Sequence, residues 1–195
     1  MARRITIIDA HPDKDPKHLI HSLAEAYADG AKQAGHEVHV VNLGELDFPL
    51  IHSKEEWDAS KVPEVLEPAQ DAIAWADHLV ILYPLWLGSM PALLKGFLEQ
   101  VMRPGFAIAT PEMGGMGHKL LRGKSARVVV TMGMPALFYR WYFRAHSLKS
   151  LERNVLKFCG VAPVKETLIG MVEESDEPRY AKWIDKLHAL GRTGT

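Results

Sequence analysis

Five segments rich in β-branched and other apolar residues recur along the chain, and each is followed by a segment with a helical pattern. The predicted strands cover residues 4–9, 37–43, 78–83, 126–131 and 163–169. The predicted helices cover residues 18–33, 62–76, 90–102, 148–158 and 179–190, where apolar side chains recur every three to four positions. Residues 44–61 and 105–123 follow neither pattern and are predicted to be irregular.

This alternation predicts an α/β fold. The third strand, HLVILY, is almost continuously apolar, which is typical of a strand buried on both faces of a parallel sheet. We therefore expect a three-layer, doubly wound sheet of five parallel strands in the flavodoxin-like order 2-1-3-4-5. A length of 195 residues suits one such domain, so we expect a single flavodoxin-like domain over residues 1–195.

The composition of the chain disfavours several classes of binding partner. With 23 basic and 24 acidic residues the net charge is −1, so the chain lacks the basic excess of a nucleic-acid binder. The longest apolar run, 79–87, is under half a membrane span, so we expect no membrane insertion. The single cysteine, Cys159, cannot form an internal disulfide, which favours a cytoplasmic location. His18 and His21 share a helix face, but no Cys or carboxylate cluster completes a metal set, so no metal is predicted.

Ligands of doubly wound sheets bind outside the carboxyl ends of the strands, so the loops after Asp9, Tyr83 and Thr131 are the candidate site. The first loop leads into a helix, whose unpaired N–H groups suit a phosphate. His11, Lys17 and His18 add donors there. The alternative is a proline-rich loop with solvated charges.

The second and third loops predict a flat ring. The second loop offers a wall for the ring in Pro84, Leu85, Trp86, Leu87 and Gly88. The alternative is that Leu85, Trp86 and Leu87 cover the core.

The third loop contains Thr131, Met132 and Gly133, and Gly133 permits close approach of the backbone to a ligand. Tyr139 and His146 follow as a candidate proton donor and acceptor, the alternatives being a packed aromatic and a surface histidine. The three loops together favour a phosphorylated flat heterocycle, and a flavin is the obvious candidate.

At these loops the sequence resembles the NAD(P)H:quinone reductase family of flavodoxin-like flavoproteins. The matching stretches are DAHPD at 9–13, ADHLVILYPLWLGSMPALLKGFLEQVMRPGFA at 76–107, and VVVTMGMP at 128–135 with Tyr139 and His146. The resemblance implies a homodimer with two flavin sites at its interface. It also implies that NAD(P)H passes a hydride to flavin N5, and that a quinone or a similar small acceptor then takes two electrons in a ping-pong reaction.

The resemblance also implies roles for particular residues. The phosphate would be held by His11 and the loop through Lys17, His18, Leu19 and Ile20. The isoalloxazine would be held by residues 84–88 together with Thr131, Met132 and Gly133. Tyr139 and His146 match a tyrosine and a histidine that stabilise charge on the reduced flavin, so they are the predicted catalytic residues.

The chain departs from the family pattern at several positions. Lys17, His18, Leu19 and Ile20 replace the usual small polar residue and Phe-Asn of the first loop. Ile108 and Thr110 stand where the better-known quinone reductases have two tyrosines, which predicts a differently shaped acceptor pocket. The family favours FAD, with FMN as the alternative.

Two other functions stay open. One is a regulatory flavoprotein, as in relatives that are ancillary subunits of potassium-efflux systems. The other is a one-electron carrier, which the balanced charge disfavours because flavodoxins are strongly acidic.

Two further segments carry structural predictions. The loop 105–123 is long for a compact domain, so we expect it to border the flavin site and to contact the partner subunit. Phe138, Trp141, Tyr142 and Phe143 lie within six residues and are predicted interface residues, because four aromatic side chains are costly to leave solvated.

Overall fold

A five-stranded parallel sheet forms the middle layer of the protein. The computed structural model describes residues 1–59, 61–110, 113, 118–174 and 177–195. The strands are β1 (Arg4–Asp9), β2 (Glu37–Asn42), β3 (His78–Pro84), β4 (Ser125–Thr131) and β5 (Val164–Ile169). All neighbours pair in parallel, in the order β2-β1-β3-β4-β5. The predicted fold class and strand order are confirmed.

Helices cover both faces of this sheet. They are α1 (Leu19–Gln33), α2 (Lys54–Asp58), α3 (Glu67–Trp75), α4 (Ala92–Val101), α5 (Ala136–Trp141), α6 (His146–Ser150), α7 (Lys157–Cys159) and α8 (Glu177–Thr193). A π-helical segment, Leu151–Leu156, joins α6 to α7. Short 3₁₀ turns cover Leu43–Glu45, Glu64–Leu66 and Val172–Glu174.

The side chains of β3 show how the two faces are filled. Val80 and Leu82 pack in a core with α1 and α8, whereas Leu79 and Ile81 pack on the other face with α3, α4 and α6. Every residue of β3 is buried. The prediction that this strand is covered on both faces is confirmed, and the alternation follows from the two-residue period of a strand.

Helices α1 and α8 touch each other through glycines. A Cβ atom on Gly30 would lie 2.0 Å from the carbonyl oxygen of His188, and one on Gly191 would lie 2.1 Å from that of Tyr27. No larger residue fits at either position without separating the helices. This close contact packs α1, whose first turn borders the candidate site, directly against α8.

Several predicted boundaries were wrong. The helix predicted over 90–102 begins at Ala92, after Pro91, and the backbone of Ser89 pairs with Trp86 in a turn that precedes it. The predicted irregular stretch 44–61 contains α2, which Ser53 caps by accepting a hydrogen bond from the Glu56 N–H at 3.1 Å. That Ser-x-x-Glu pattern is a capping signal that the sequence already contained.

The long loop 105–123 is described only in part. The Ala109 N–H donates to the His118 carbonyl at 2.8 Å, and Ile108 forms a bridge with Lys119. Residues 111, 112 and 114–117 lie outside the described residues. The predicted contact of this loop with a flavin and with a partner subunit therefore stays a prediction.

Within the described ranges, every helix is too short or too polar to cross a membrane.

Candidate functional site

The three predicted loops begin at one edge of the sheet. We call them loop 1 (residues 10–18, after β1), loop 2 (85–91, after β3) and loop 3 (132–135, after β4). The Leu85 N–H donates to the Thr131 carbonyl at 2.8 Å, and the Met132 N–H donates to the Ile169 carbonyl at 2.9 Å. These bonds continue the sheet pairing past the strand ends and bring the loops together.

A cleft of about 380 Å³ lies between the loops. Its lining includes these predicted binding residues: His11, His18, Leu19, Ile20, Pro84, Leu85, Trp86, Thr131, Met132 and Gly133. It also includes Asp13, Val172 and Glu173. Five predicted site residues, Lys17, Leu87, Gly88, Tyr139 and His146, are not part of this lining.

Loop 1 is organised by its own aspartates. The Asp13 carboxylate accepts a hydrogen bond from the Asp15 N–H at 3.0 Å, and the Asp15 carboxylate accepts one from the Lys17 N–H at 3.1 Å. These local turns are typical of aspartate. The Lys17 side chain is exposed and lies outside the cleft lining, so its predicted contact with a phosphate stays a prediction.

Two stacked imidazoles line the loop 1 side of the cleft. The rings of His11 and His18 are 3.9 Å apart, and His18 Nε2 lies 2.9 Å from an Asp13 carboxylate oxygen. Burial lowers the pKa of His11 by more than a hydrogen bond to the Asp13 backbone raises it, and the neighbouring histidines lower it further. His11 is therefore a neutral polar group at pH 7.

The start of α1 completes this side. His18 occupies the N-cap position without a side-chain capping bond, and the first turn contains no acidic residue. The N–H groups of the first turn are thus not satisfied by a cap, and the helix dipole adds partial positive charge. Leu19 and Ile20 of this turn line the cleft, which is the arrangement that suits an anion.

Loop 2 contains a tight turn from Trp86 to Ser89. Leu87 and Gly88 have φ values of 46° and 77°, and the backbones of Trp86 and Ser89 pair across the turn. Leu87, fully exposed, is strained in this left-handed conformation. Leu87 and Gly88 therefore present Trp86 to the cleft instead of lining it themselves.

Trp86 provides a half-exposed aromatic wall. It exposes 49% of its surface, and its ring meets that of His11 edge to face at 5.9 Å. The alternative prediction, that this loop covers the core, holds only for the partly buried Leu85.

Glu173, in the segment after β5, lines the cleft next to Gly133 of loop 3. A Cβ on Gly133 would lie 3.2 Å from a Glu173 carboxylate oxygen, and one on Gly170 would lie 2.4 Å from the Ala136 nitrogen. The segment after β5 therefore packs closely on loop 3. Glu173 is an exposed residue, and the sequence alone did not single it out as a site residue. The predicted strand order contained the signal, because it puts the end of β5 beside the end of β4.

The predicted catalytic pair is not brought together. Tyr139 is buried, its hydroxyl lies 2.7 Å from Ser147 Oγ, and it accepts a hydrogen bond from the Leu148 N–H at 3.3 Å. His146 is exposed. Neither side chain lines the cleft, so their catalytic roles stay predictions.

The groups that line the cleft, taken together, suit a phosphorylated flat heterocycle. Trp86 and Leu85 supply an apolar wall, and loop 1 supplies the uncapped helix start. The Gly133 N–H donates no hydrogen bond to another described residue, so it is available to the polar edge of a ring. Among the described residues no cluster of three or more His, Cys, Asp or Glu side chains has metal-binding geometry.

Comparison with known proteins gives concordant results. A family model described as a flavodoxin-like fold matches residues 3–190. An "Uncharacterized NAD(P)H oxidoreductase" of Haemophilus influenzae is 31% identical over 179 residues, which cover 88% of this chain and 85% of the relative. The "Ribosyldihydronicotinamide dehydrogenase [quinone]" of Pongo abelii is 29% identical over 217 aligned positions, covering 96% and 92%.

A solved structure is similar over the whole fold. It is described as an NAD(P)H:quinone oxidoreductase from Methanothermobacter marburgensis. The TM-score is 0.82 at 25% identity, and the match covers 99% of this chain and 97% of that one.

Proposed function

The chain belongs to the family of proteins with the flavodoxin-like fold, and on that premise we propose that it acts as a flavin-dependent NAD(P)H oxidoreductase with a quinone or a similar compound as electron acceptor. One observation carries the proposal. Loops 1, 2 and 3 and the segment after β5 meet in a single cleft that combines an anion site, an aromatic wall and an available backbone N–H. The names of the relatives agree with this chemistry.

The residues divide the work of holding the cofactor. His11, His18 and the first turn of α1 hold its phosphate, Trp86 packs on its ring system, and the Gly133 N–H donates to the polar edge of the ring. When bound, the flavin accepts a hydride from NAD(P)H and passes two electrons to the acceptor. A backbone donor at the ring edge stabilises negative charge that develops there.

FAD is the flavin that we propose, on the family resemblance, with FMN as the alternative. Both contain the phosphate and the ring that this cleft suits, and extraction of the bound flavin followed by chromatography distinguishes them. The single Cys159, which is buried, makes a cytoplasmic location part of the proposal.

A homodimer is a further part of the proposal, supported by an apolar face on and after α5. Leu137, Phe138, Trp141, Tyr142 and Phe143 expose between 40% and 77% of their surface. The rings of Phe138, Tyr142 and Phe143 contact one another, one pair stacked and two pairs edge to face. A contiguous exposed aromatic surface of this kind is typical of a protein interface. A second copy of the chain is the occupant that the family resemblance favours.

The decisive experiment is an absorption spectrum of the purified protein, recorded before and after anaerobic addition of NADPH and then of NADH. We expect the visible bands of an oxidised flavin and their bleaching by one of the two nucleotides. A screen of acceptors then identifies the substrate. Bound flavin that neither nucleotide bleaches would contradict the oxidoreductase. Failure to bind FMN or FAD on reconstitution would contradict the flavin site itself.

A further inference from the structure

Behind the cleft, a third histidine lies close to the stacked pair of loop 1. The ring of His21, on α1, is 5.4 Å from that of His11 and 6.0 Å from that of His18. His21 does not line the cleft but faces the groove between α1 and β2. It is therefore placed to act on the site through its neighbours, not on a ligand directly.

Both ring nitrogens of His21 face acceptors. Nδ1 lies 2.5 Å from a carboxylate oxygen of Asp9, and Nε2 lies 2.9 Å from the carbonyl oxygen of Asp13. A neutral imidazole has one N–H and can donate to only one of them, whereas an imidazolium donates to both. The geometry is therefore that of a protonated ring. It joins the end of β1 to the middle of loop 1.

Asp9 explains why this proton is retained. Its side chain is buried, and it also accepts a hydrogen bond from the His11 N–H at 3.3 Å. A buried carboxylate without a cationic partner is costly. Burial lowers the pKa of His21, but the hydrogen bonds to Asp9 and Asp13 and the charges of both residues outweigh it and raise the pKa above 6.5.

Other charged or titratable groups surround His21 and Asp9 from several elements. His11, Asp13 and His18 of loop 1 lie on the side of the cleft. On the other side, the groove is lined by Lys14 of loop 1, by Glu25, Asp29 and Lys32 of α1, and by Glu45 after β2.

Asp13 connects His21 to the cleft. Its carbonyl is held by His21, its carboxylate is held by His18, and the His18 ring stacks on His11. If His21 loses a proton, the remaining N–H stays with the buried carboxylate of Asp9, and the bond to the Asp13 carbonyl is lost. Asp13 then keeps only one imidazole contact at its carbonyl oxygen, that of His11 Nδ1 at 2.8 Å, and Asp13 and the His18 ring that it holds are positioned less firmly.

We propose that His21 is a positioning residue for the flavin phosphate, and that as an imidazolium between Asp9 and Asp13 it sets the loop 1 geometry on which flavin affinity depends. This inference rests on the proposed function and names a proton-linked control of the same site. A bound phosphate adds negative charge near His21 and favours its protonated form. By linkage, affinity is highest at low pH and falls as pH rises through the pKa of His21 in the complex.

The test measures the dissociation constants of FAD, FMN and riboflavin by flavin fluorescence from about pH 6.5 to about pH 9. For FAD we expect about tenfold weaker binding at the upper end, the change produced if the bound phosphates raise the pKa of His21 by about one unit. The diphosphate of FAD keeps its charge over this range. Riboflavin, which has the ring but no phosphate, is expected to show little dependence on pH.

Two variants test whether the pH dependence of FAD binding comes from His21. His21→Gln keeps a side-chain donor but cannot titrate, so its FAD affinity is expected to stay constant with pH, near the value that the wild type reaches at high pH. His52→Gln, at an exposed histidine outside both the cleft and the groove, is the control and should retain the wild-type pH dependence.

A second measurement needs neither flavin nor activity. ¹⁵N NMR of the ligand-free protein should show both ring nitrogens of His21 protonated at neutral pH, and Asp9→Asn should lower the pKa of this ring. Three results would each overturn the role of His21 without contradicting flavin binding. They are an FAD affinity of the wild type that does not depend on pH, an unchanged pH dependence in His21→Gln, and a neutral His21 ring. Absence of flavin binding at every pH would overturn both.

Discussion

Replacement of Trp86 by alanine tests the proposed flavin site most directly, because this side chain forms the aromatic wall of the cleft. It is half exposed, and the Trp86–Ser89 turn holds its backbone independently of the ring. The variant should therefore fold and lose little except the wall itself.

The structure gives the expected size of the loss. Trp86 exposes 49% of its surface, which for a tryptophan of about 250 Å² leaves about 120 Å² in contact with solvent. A flat ring covers one face of the indole, or about half of that area. At about 25 cal/mol per Å² this is about 1.5 kcal/mol, which corresponds to roughly tenfold weaker binding.

Titration of the flavin-free protein with FAD and FMN, followed by flavin fluorescence, measures this loss. Trp86→Phe keeps part of the aromatic surface and should weaken binding by only about threefold. Trp57→Ala is the matched control, because Trp57 lies on α2 and lines a different groove. A dissociation constant for Trp86→Ala that equals that of the Trp57→Ala control would show that the flavin does not pack on Trp86.

Three further predictions concern catalysis, stability and assembly. Tyr139→Phe is expected to retain the flavin and to be reduced more slowly by NAD(P)H in stopped-flow experiments; an unchanged rate would leave the hydroxyl with its bonds to Ser147 and Leu148 as its only role. Burial lowers the pKa of His78 from 6.5 to about 4, so the folded protein disfavours protonation of this ring. Urea unfolding should therefore show a free energy of unfolding that falls by up to about 3 kcal/mol from pH 6.5 to about pH 4, and this decrease should be smaller in His78→Gln. Trp141→Glu should convert the proposed dimer to a monomer in sedimentation experiments, and a monomeric wild type would contradict the dimer.

The sheet was predictable from the sequence because its signals are local. The continuous apolar run of β3 predicts burial on both faces, and the alternation of strands and helices predicts parallel strands, which both hold in the structure. The boundaries were less predictable. Ser89 has the chemistry of an N-cap, but its backbone is engaged by Trp86, and a pairing between residues three apart in a strained turn leaves no signal in hydrophobic periodicity.

The sequence by itself determined where the candidate site lies. Parallel strands place their carboxyl ends at one edge, so the loops after Asp9, Tyr83 and Thr131 were brought together by the strand order alone. Which side chains enter the cleft was decided only by the tertiary structure. Glu173 lies above Gly133, since Gly170 lets the segment after β5 approach loop 3.

The contacts of Tyr139 and His21 were likewise decided by the tertiary structure and not by the local sequence. The Tyr139 hydroxyl bonds Ser147 and not the neighbouring candidate His146, and the His21 ring finds Asp9 across the end of a strand. Side-chain direction depends on packing against elements distant in the sequence, and hydrophobic periodicity carries no information about that packing.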